Sequence, residues 1–177
     1  MLDSNIMGLD LGLGCTGIAS ACSGVIRTRA LKTTKKGHER TAYLLDSIQL
    51  AAQGHDLVGI EGLAYAAKGR SILDIAGFHF QVRQRLWENY IPYVVIAPAI
   101  RMKYVTGKGG GPEAKKDLVW AAALRRWPET VMNTHDEADA VILAAIAARV
   151  YRDPFDGMID IDHFSPVNSM TIVRRTQ

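Results

Sequence analysis

"MGLDLGLGCTGIA", residues 7–19, decides how the rest of the chain is read. Its apolar and glycine texture is that of a buried strand followed by a turn, yet Asp10 stands in the middle. An ionised, unpaired carboxylate is expensive to bury, so something must compensate it. Strand alternation puts Gly8 and Gly12 on the same side as Asp10. The expectation is a cleared patch in which a metal ion or a phosphodiester approaches the backbone closely.

Working outward, Ile6–Leu11, Thr16–Cys22 and Val25–Lys32 read as three successive strands with turns at 12–14 and Ser23-Gly24. Connections this short favour an antiparallel meander. Apolar residues at helical spacing predict a helix over Glu39–Gln53, stopped by Gly54. Leu57–Glu61 reads as a buried fourth strand and Pro92–Ala97 as a fifth. Between them Ser71–Trp87 is a long helix with Ile72, Ile75, Ala76, His79, Val82 and Leu86 along one face. A short helix over Ala99–Val105, a glycine-rich loop at Gly107–Pro112 and helices over Glu113–Trp127 and Asp136–Tyr151 follow. The expectation is one domain over 1–151, with an extension at 152–177 that either adds short strands or hangs loosely. An α/β architecture results: a five-stranded mixed sheet, three strands in a meander plus two more, with helices on both faces. It resembles the ribonuclease H-like fold, whose enzymes use acidic clusters and divalent metal.

The whole-chain figures agree. At 177 residues, 48% hydrophobic and 22% charged, one compact domain with its own core is expected. No targeting pattern is visible, and the longest apolar run, near Ala138–Ala148, is too short to span a bilayer. A soluble, cytoplasmic protein with no membrane association is expected. Cys15 and Cys22 fall on opposite faces of a strand and lack zinc-site spacing, so both read as buried small hydrophobes in a reducing compartment. The net charge of +3 says little, but Lys and Arg recur in the loops, which suits a polyanionic partner. On charge alone, ordinary solvated surface explains them as well.

Glu61 repeats the pattern of Asp10, closing an apolar strand with Gly59 two residues before it. Either acid alone also fits a solvent-facing strand end; two together are harder to dismiss. In "THDEADAVILAAIAA", Asp136 and Asp139 lie three apart on one helix face. Thr134 and Glu137 fit a capping box, which explains the first-turn acids but not Asp139, at the head of an apolar run. His135 reads as a helix cap. None of the four acids has an adjacent Lys or Arg in sequence, so Asp10, Glu61, Asp136 and Asp139 suggest an oxygen cage for Mg²⁺ or Mn²⁺. Two such ions roughly 4 Å apart support in-line displacement at a phosphodiester.

With these residues placed, the sequence resembles the RuvC family of Holliday-junction resolvases. The matching stretches are "IMGLDLGLGCTGIA", "LVGIEGLAYAAKGRS", "APAIRMKYVTGKGGGPEAKKDLV" and "HDEADAVILAAIA", in family order over roughly residues 6–148. The last is the most specific; the first also occurs in sugar kinases and actin-like ATPases. The resemblance implies a homodimeric, Mg²⁺-dependent endonuclease that nicks opposed strands of a four-way DNA junction in recombination and repair. It implies that Asp10, Glu61, Asp136 and Asp139 are the metal-binding catalytic acids. Lys116 matches a basic residue near the scissile phosphate, and Lys103, Lys108, Lys68 and Arg70 lie in DNA-facing stretches. The helix after Glu61 corresponds to the one that pairs two subunits, with Ile72, Ile75 and His79 as candidate interface.

The chain departs from the family in three places. The aromatic that stacks at the junction centre has its nearest counterpart in Tyr65, displaced by one position. The loop "GKGGGP" is a few residues longer, and 152–177 has no counterpart. Such divergence suits a phage-borne member. Three competitors are weaker: a kinase or actin-like ATPase, which needs more chain; another nuclease of this fold acting on flaps, general branches or RNA–DNA hybrids; and a silent junction-binding subunit, which gains nothing from clustered acids.

Overall fold

The computed structural model describes residues 3–63, 71–107, 116–157, 167 and 169–176, with only the backbone of Ser71 and Lys116. The elements run β1 (Ile6–Asp10), β2 (Thr16–Cys22), β3 (Val25–Leu31), α1 (Gly37–Ala52), β4 (Leu57–Glu61), α2 (Ser71–Glu88), β5 (Tyr93–Ile96), α3 (Pro98–Thr106), α4 (Lys116–Arg126) and α5 (His135–Val150). The sheet order is β3-β2-β1-β4-β5. The β1–β2 and β2–β3 pairs are antiparallel; β1–β4 and β4–β5 are parallel. This is the expected mixed sheet, and every expected helix and strand is found to within a few residues.

Alternation along the strands builds two separate cores. Met7, Leu9, Ile18, Val58 and Ile60 face α1 and α2, meeting Leu44, Leu45, Ile48, Phe78, Val82 and Leu86. Ile6, Ala19, Ala21, Leu57, Val94 and Ile96 face the other way, against α3, α4 and above all α5. From Ala140 to Ala148 every residue of α5 is buried, because one side lies on the sheet and the other under α3 and α4.

The glycines explain how α5 comes so close, and they correct the expectation drawn from Gly8 and Gly12. A Cβ on Gly8 would lie 2.0 Å from the Ala140 carbonyl oxygen, and one on Gly17 would lie 1.9 Å from that of Asp136. At Gly59 a Cβ would stand 2.6 Å from the Leu143 carbonyl oxygen. The patch beside Asp10 is therefore filled by helix backbone rather than kept open for a ligand. Gly12 lies beyond β1, where a Cβ would meet the Cys15 carbonyl oxygen at 2.3 Å.

Of the α2 residues read as candidate interface, His79 is only 5% exposed and Ile75 packs against the core of its own chain. The large apolar side chains that α2 turns outward are Leu73, Phe80 and, at its last turn, Trp87. Beyond residue 151 the described positions are tied to the domain. Asp153 accepts from the Ser4 hydroxyl at 2.6 Å, and Asp156 pairs with Arg126 and Arg149. Val167 is buried, and Val173 forms an antiparallel bridge with Tyr93 on β5. Among the described helices none is long and apolar enough to cross a membrane.

Candidate active site

Asp10 ends β1 and Glu61 ends β4. The parallel register sets Leu9 opposite Ile60, so the two acids leave the same edge of the sheet side by side. Above them lies the first turn of α5, brought down by the contact of its backbone with Gly17. Thr134 caps that turn: its hydroxyl accepts from the Glu137 amide at 3.2 Å, and the Glu137 carboxylate accepts from the Thr134 amide at 3.1 Å. The expected capping box is present, and it fixes the rotation that carries Asp136 and Asp139 towards the sheet. His135 is not the cap. Its ring packs on Trp120 at 4.5 Å and its Nε2 lies 3.3 Å from Asp117.

The four acids thus come together from three elements. Their mutual repulsion shows on Asp10, whose carboxyl is pushed up to about 8, first by burial and then by the negative charges of Glu61, Asp139 and Asp136. Cys15 also belongs to this neighbourhood. It is half-buried rather than a core hydrophobe, and its thiol bonds to the Asp136 carboxylate. Burial and that bond push the thiol up to about 12, so it stays protonated as a donor. Both cysteines are free.

The compensation sought for Asp10 comes in part from a residue the sequence reading left among the surface charges. Arg101, on α3, reaches into the acids: its Nε donates to Glu61 Oε1 and its Nη1 to Asp139 Oδ1. Its side chain is 12% exposed, against 17% for Glu61 and 16% for Asp139. The negative charges of Asp139, Glu61 and Asp10 hold the guanidinium protonated against the opposing effect of burial. The acids lack a Lys or Arg adjacent in sequence, but in space Glu61 and Asp139 are matched by Arg101. No spacing rule could find this pair, because Arg101 lies 40 residues from Glu61 and 38 from Asp139. The visible signal was a cation just beyond β5, the strand that runs beside β4.

A hard divalent cation fits the donor chemistry, which is carboxylate oxygen from Asp10, Glu61, Asp136 and Asp139. As the side chains stand, Glu61 and Asp139 are turned onto Arg101, and among the described residues no three His, Cys, Asp or Glu side chains form a ready metal-ligand group. Two clefts lie elsewhere. One of about 540 Å³ sits between α1 and α2, and one of about 290 Å³ runs along β2, β3 and α1; neither is lined by the acids.

Of the expected DNA-contacting residues, Lys103 is half-buried in the last turn of α3, two positions from Arg101. Tyr65, Lys68, Arg70 and Lys108 lie outside the described residues, as does the side chain of Lys116, the first residue of α4.

The comparison with solved structures settles the architecture. A structure of Thermus thermophilus RuvC superposes with a TM-score of 0.65 over 84% of this chain and 97% of that one, at 14% identity. The fold is that of RuvC. A second structure, T. thermophilus RuvC in complex with Holliday junction substrate, gives a TM-score of 0.61 over 80% of this chain and 90% of that one, at 15% identity. The RuvC likeness read from the four sequence stretches is thus matched in the backbone. No family model and no curated protein matches the sequence.

Proposed function

We propose that this chain is a structure-selective DNA endonuclease that resolves four-way junctions by divalent-metal-dependent hydrolysis of opposed strands, acting as a homodimer. The observation that carries this reading is the convergence of Asp10, Glu61, Asp136 and Asp139 at one edge of a RuvC-fold sheet, close enough for three of them to raise the fourth. The second RuvC structure supports the substrate class, since that protein is in complex with Holliday junction substrate.

In this reading the four acids hold Mg²⁺ or Mn²⁺, two ions per site when full, which supply the Lewis acidity that phosphodiester hydrolysis needs. Asp10 and Glu61, fixed at strand ends, set the floor of the site; Asp136 and Asp139, fixed by the capped helix, set its roof. By the family resemblance Lys116, Lys103, Lys108, Lys68 and Arg70 are assigned to DNA contact and Tyr65 to stacking on the junction bases. The dimer forms through α2, whose Leu73 and Phe80 are 74% and 60% exposed. Two sites related by a two-fold axis then address two opposed, symmetry-related strands of the junction.

The test is a substrate panel in Mg²⁺: a mobile four-way junction, a flap, a plain duplex and an RNA–DNA hybrid. Symmetric paired nicks in the junction alone are expected. Equal cutting of flaps and junctions would make the protein a general branch nuclease, and cutting of the hybrid alone would move it to the ribonucleases.

A further inference from the structure

We propose that Arg101 is an internal latch on the metal site, occupying the place of a cation between Glu61 and Asp139 and released when divalent metal enters. The inference rests on the nuclease reading to the extent that the acids are metal ligands; it does not depend on which DNA is cut. Three observations carry it. The guanidinium bridges two carboxylates from different elements through two different nitrogens, as a bridging ion does. All three side chains are largely buried, so the contact is not a solvated surface pair. Charge arithmetic makes Arg101 and a full complement of metal competitors: four carboxylates balance two divalent ions, and a retained guanidinium leaves an excess positive charge.

The latch has a physical purpose. Without it, Asp10, Glu61, Asp136 and Asp139 would repel one another in a poorly hydrated corner. Arg101 ties Glu61 to Asp139 and supplies positive charge to the cluster. It sits on the short helix α3 (Pro98–Thr106).

The test measures Mn²⁺ binding by the electron paramagnetic resonance of free Mn²⁺, and thermal unfolding with EDTA and with Mn²⁺, on the full chain. Arg101→Gln is compared with wild type and with Lys32→Gln. The latter removes a cation near enough to act on Cys15 but outside the Arg101 ion pairs. Expected for Arg101→Gln is Mn²⁺ affinity about tenfold higher or more, from the loss of two charge-assisted hydrogen bonds. Its melting temperature should fall in EDTA and return to the wild-type value with saturating Mn²⁺. Affinity that is unchanged or weaker, or raised equally by Lys32→Gln, overturns the latch. If wild type binds Mn²⁺ and only Arg101→Gln fails to gain, the nuclease reading survives. If no variant binds Mn²⁺, the metal reading falls and the latch with it.

Discussion

His79 and Asp10 are both titratable groups taken out of water, and they tilt stability in opposite directions with pH. Burial lowers the His79 pKa below its ordinary 6.5, although a hydrogen bond to the Leu11 backbone opposes this. The unfolded chain therefore takes up a proton that the fold resists, and stability is lost as pH falls below about 6.5 towards the folded value. Asp10 works the other way. Its carboxyl is raised from 3.8 to about 8, so the metal-free fold loses stability as pH rises across that window. Comparing wild type with His79→Gln cancels the Asp10 contribution. In EDTA, the advantage of wild type in urea unfolding should shrink between pH 7 and pH 5; a constant difference would mean that the ring protonates as readily inside the fold as outside. At this scale the gathering of the acids was legible, because two apolar strands each carry a carboxylate two residues after a glycine and one helix face carries two more. The same was not true of Arg101, whose partners are set by how β4, α3 and α5 meet, or of Cys15, which a strand pattern assigned to the core.

Element boundaries followed from periodicity and glycine punctuation, and the strands, α1, α2 and α5 lie close to where those signals put them. What periodicity could not supply was the identity of the neighbour on each face. Gly8 and Asp10 do share a side, as alternation requires, but that side is where α5 docks. The glycines consequently serve the site indirectly, by letting the helix that bears Asp136 and Asp139 sit directly on the strand that bears Asp10. Gly17→Ala should push the capped end of α5 away from the sheet. The expected cost is roughly 1–3 kcal/mol by overpacking, with cleavage reduced more than stability alone explains. Gly77→Ala is the counterpart: it sits within α2 with nothing inside 4 Å of the added Cβ. It should stabilise by about 0.5–1 kcal/mol, since alanine loses less entropy in a helix. Urea midpoints check both, and a Gly17→Ala protein as stable as wild type would show that α5 has room to spare.

For the molecule as a whole, the described positions beyond residue 151 strap onto the domain, where the sequence left open short added strands or a loose end. Asp156 sits 2% exposed between Arg126 and Arg149, and Arg175 lies over the Trp87 and Tyr90 rings at 4.6 and 4.8 Å. Asp156→Ala leaves two partly buried arginines without their carboxylate and should cost on the order of 3–5 kcal/mol; thermal unfolding within a degree of wild type would count against the strap. The pairing of copies is read from α2, and Leu73→Asp with Phe80→Asp should convert a dimer to a monomer in sedimentation equilibrium. If wild type is already monomeric at micromolar concentration, paired incision has no structural basis. The most direct measurement of the central claim uses one labelled four-way junction in Mg²⁺ with wild type, Asp10→Asn and Asp139→Asn, binding and cutting being followed together. Paired nicks from wild type are predicted, along with none from either variant and junction affinity equal to or tighter than wild type, because repulsion of the phosphates is relieved. Cleavage that survives both substitutions, or affinity that vanishes together with cleavage, would contradict the assignment of these carboxylates to a metal-dependent active centre.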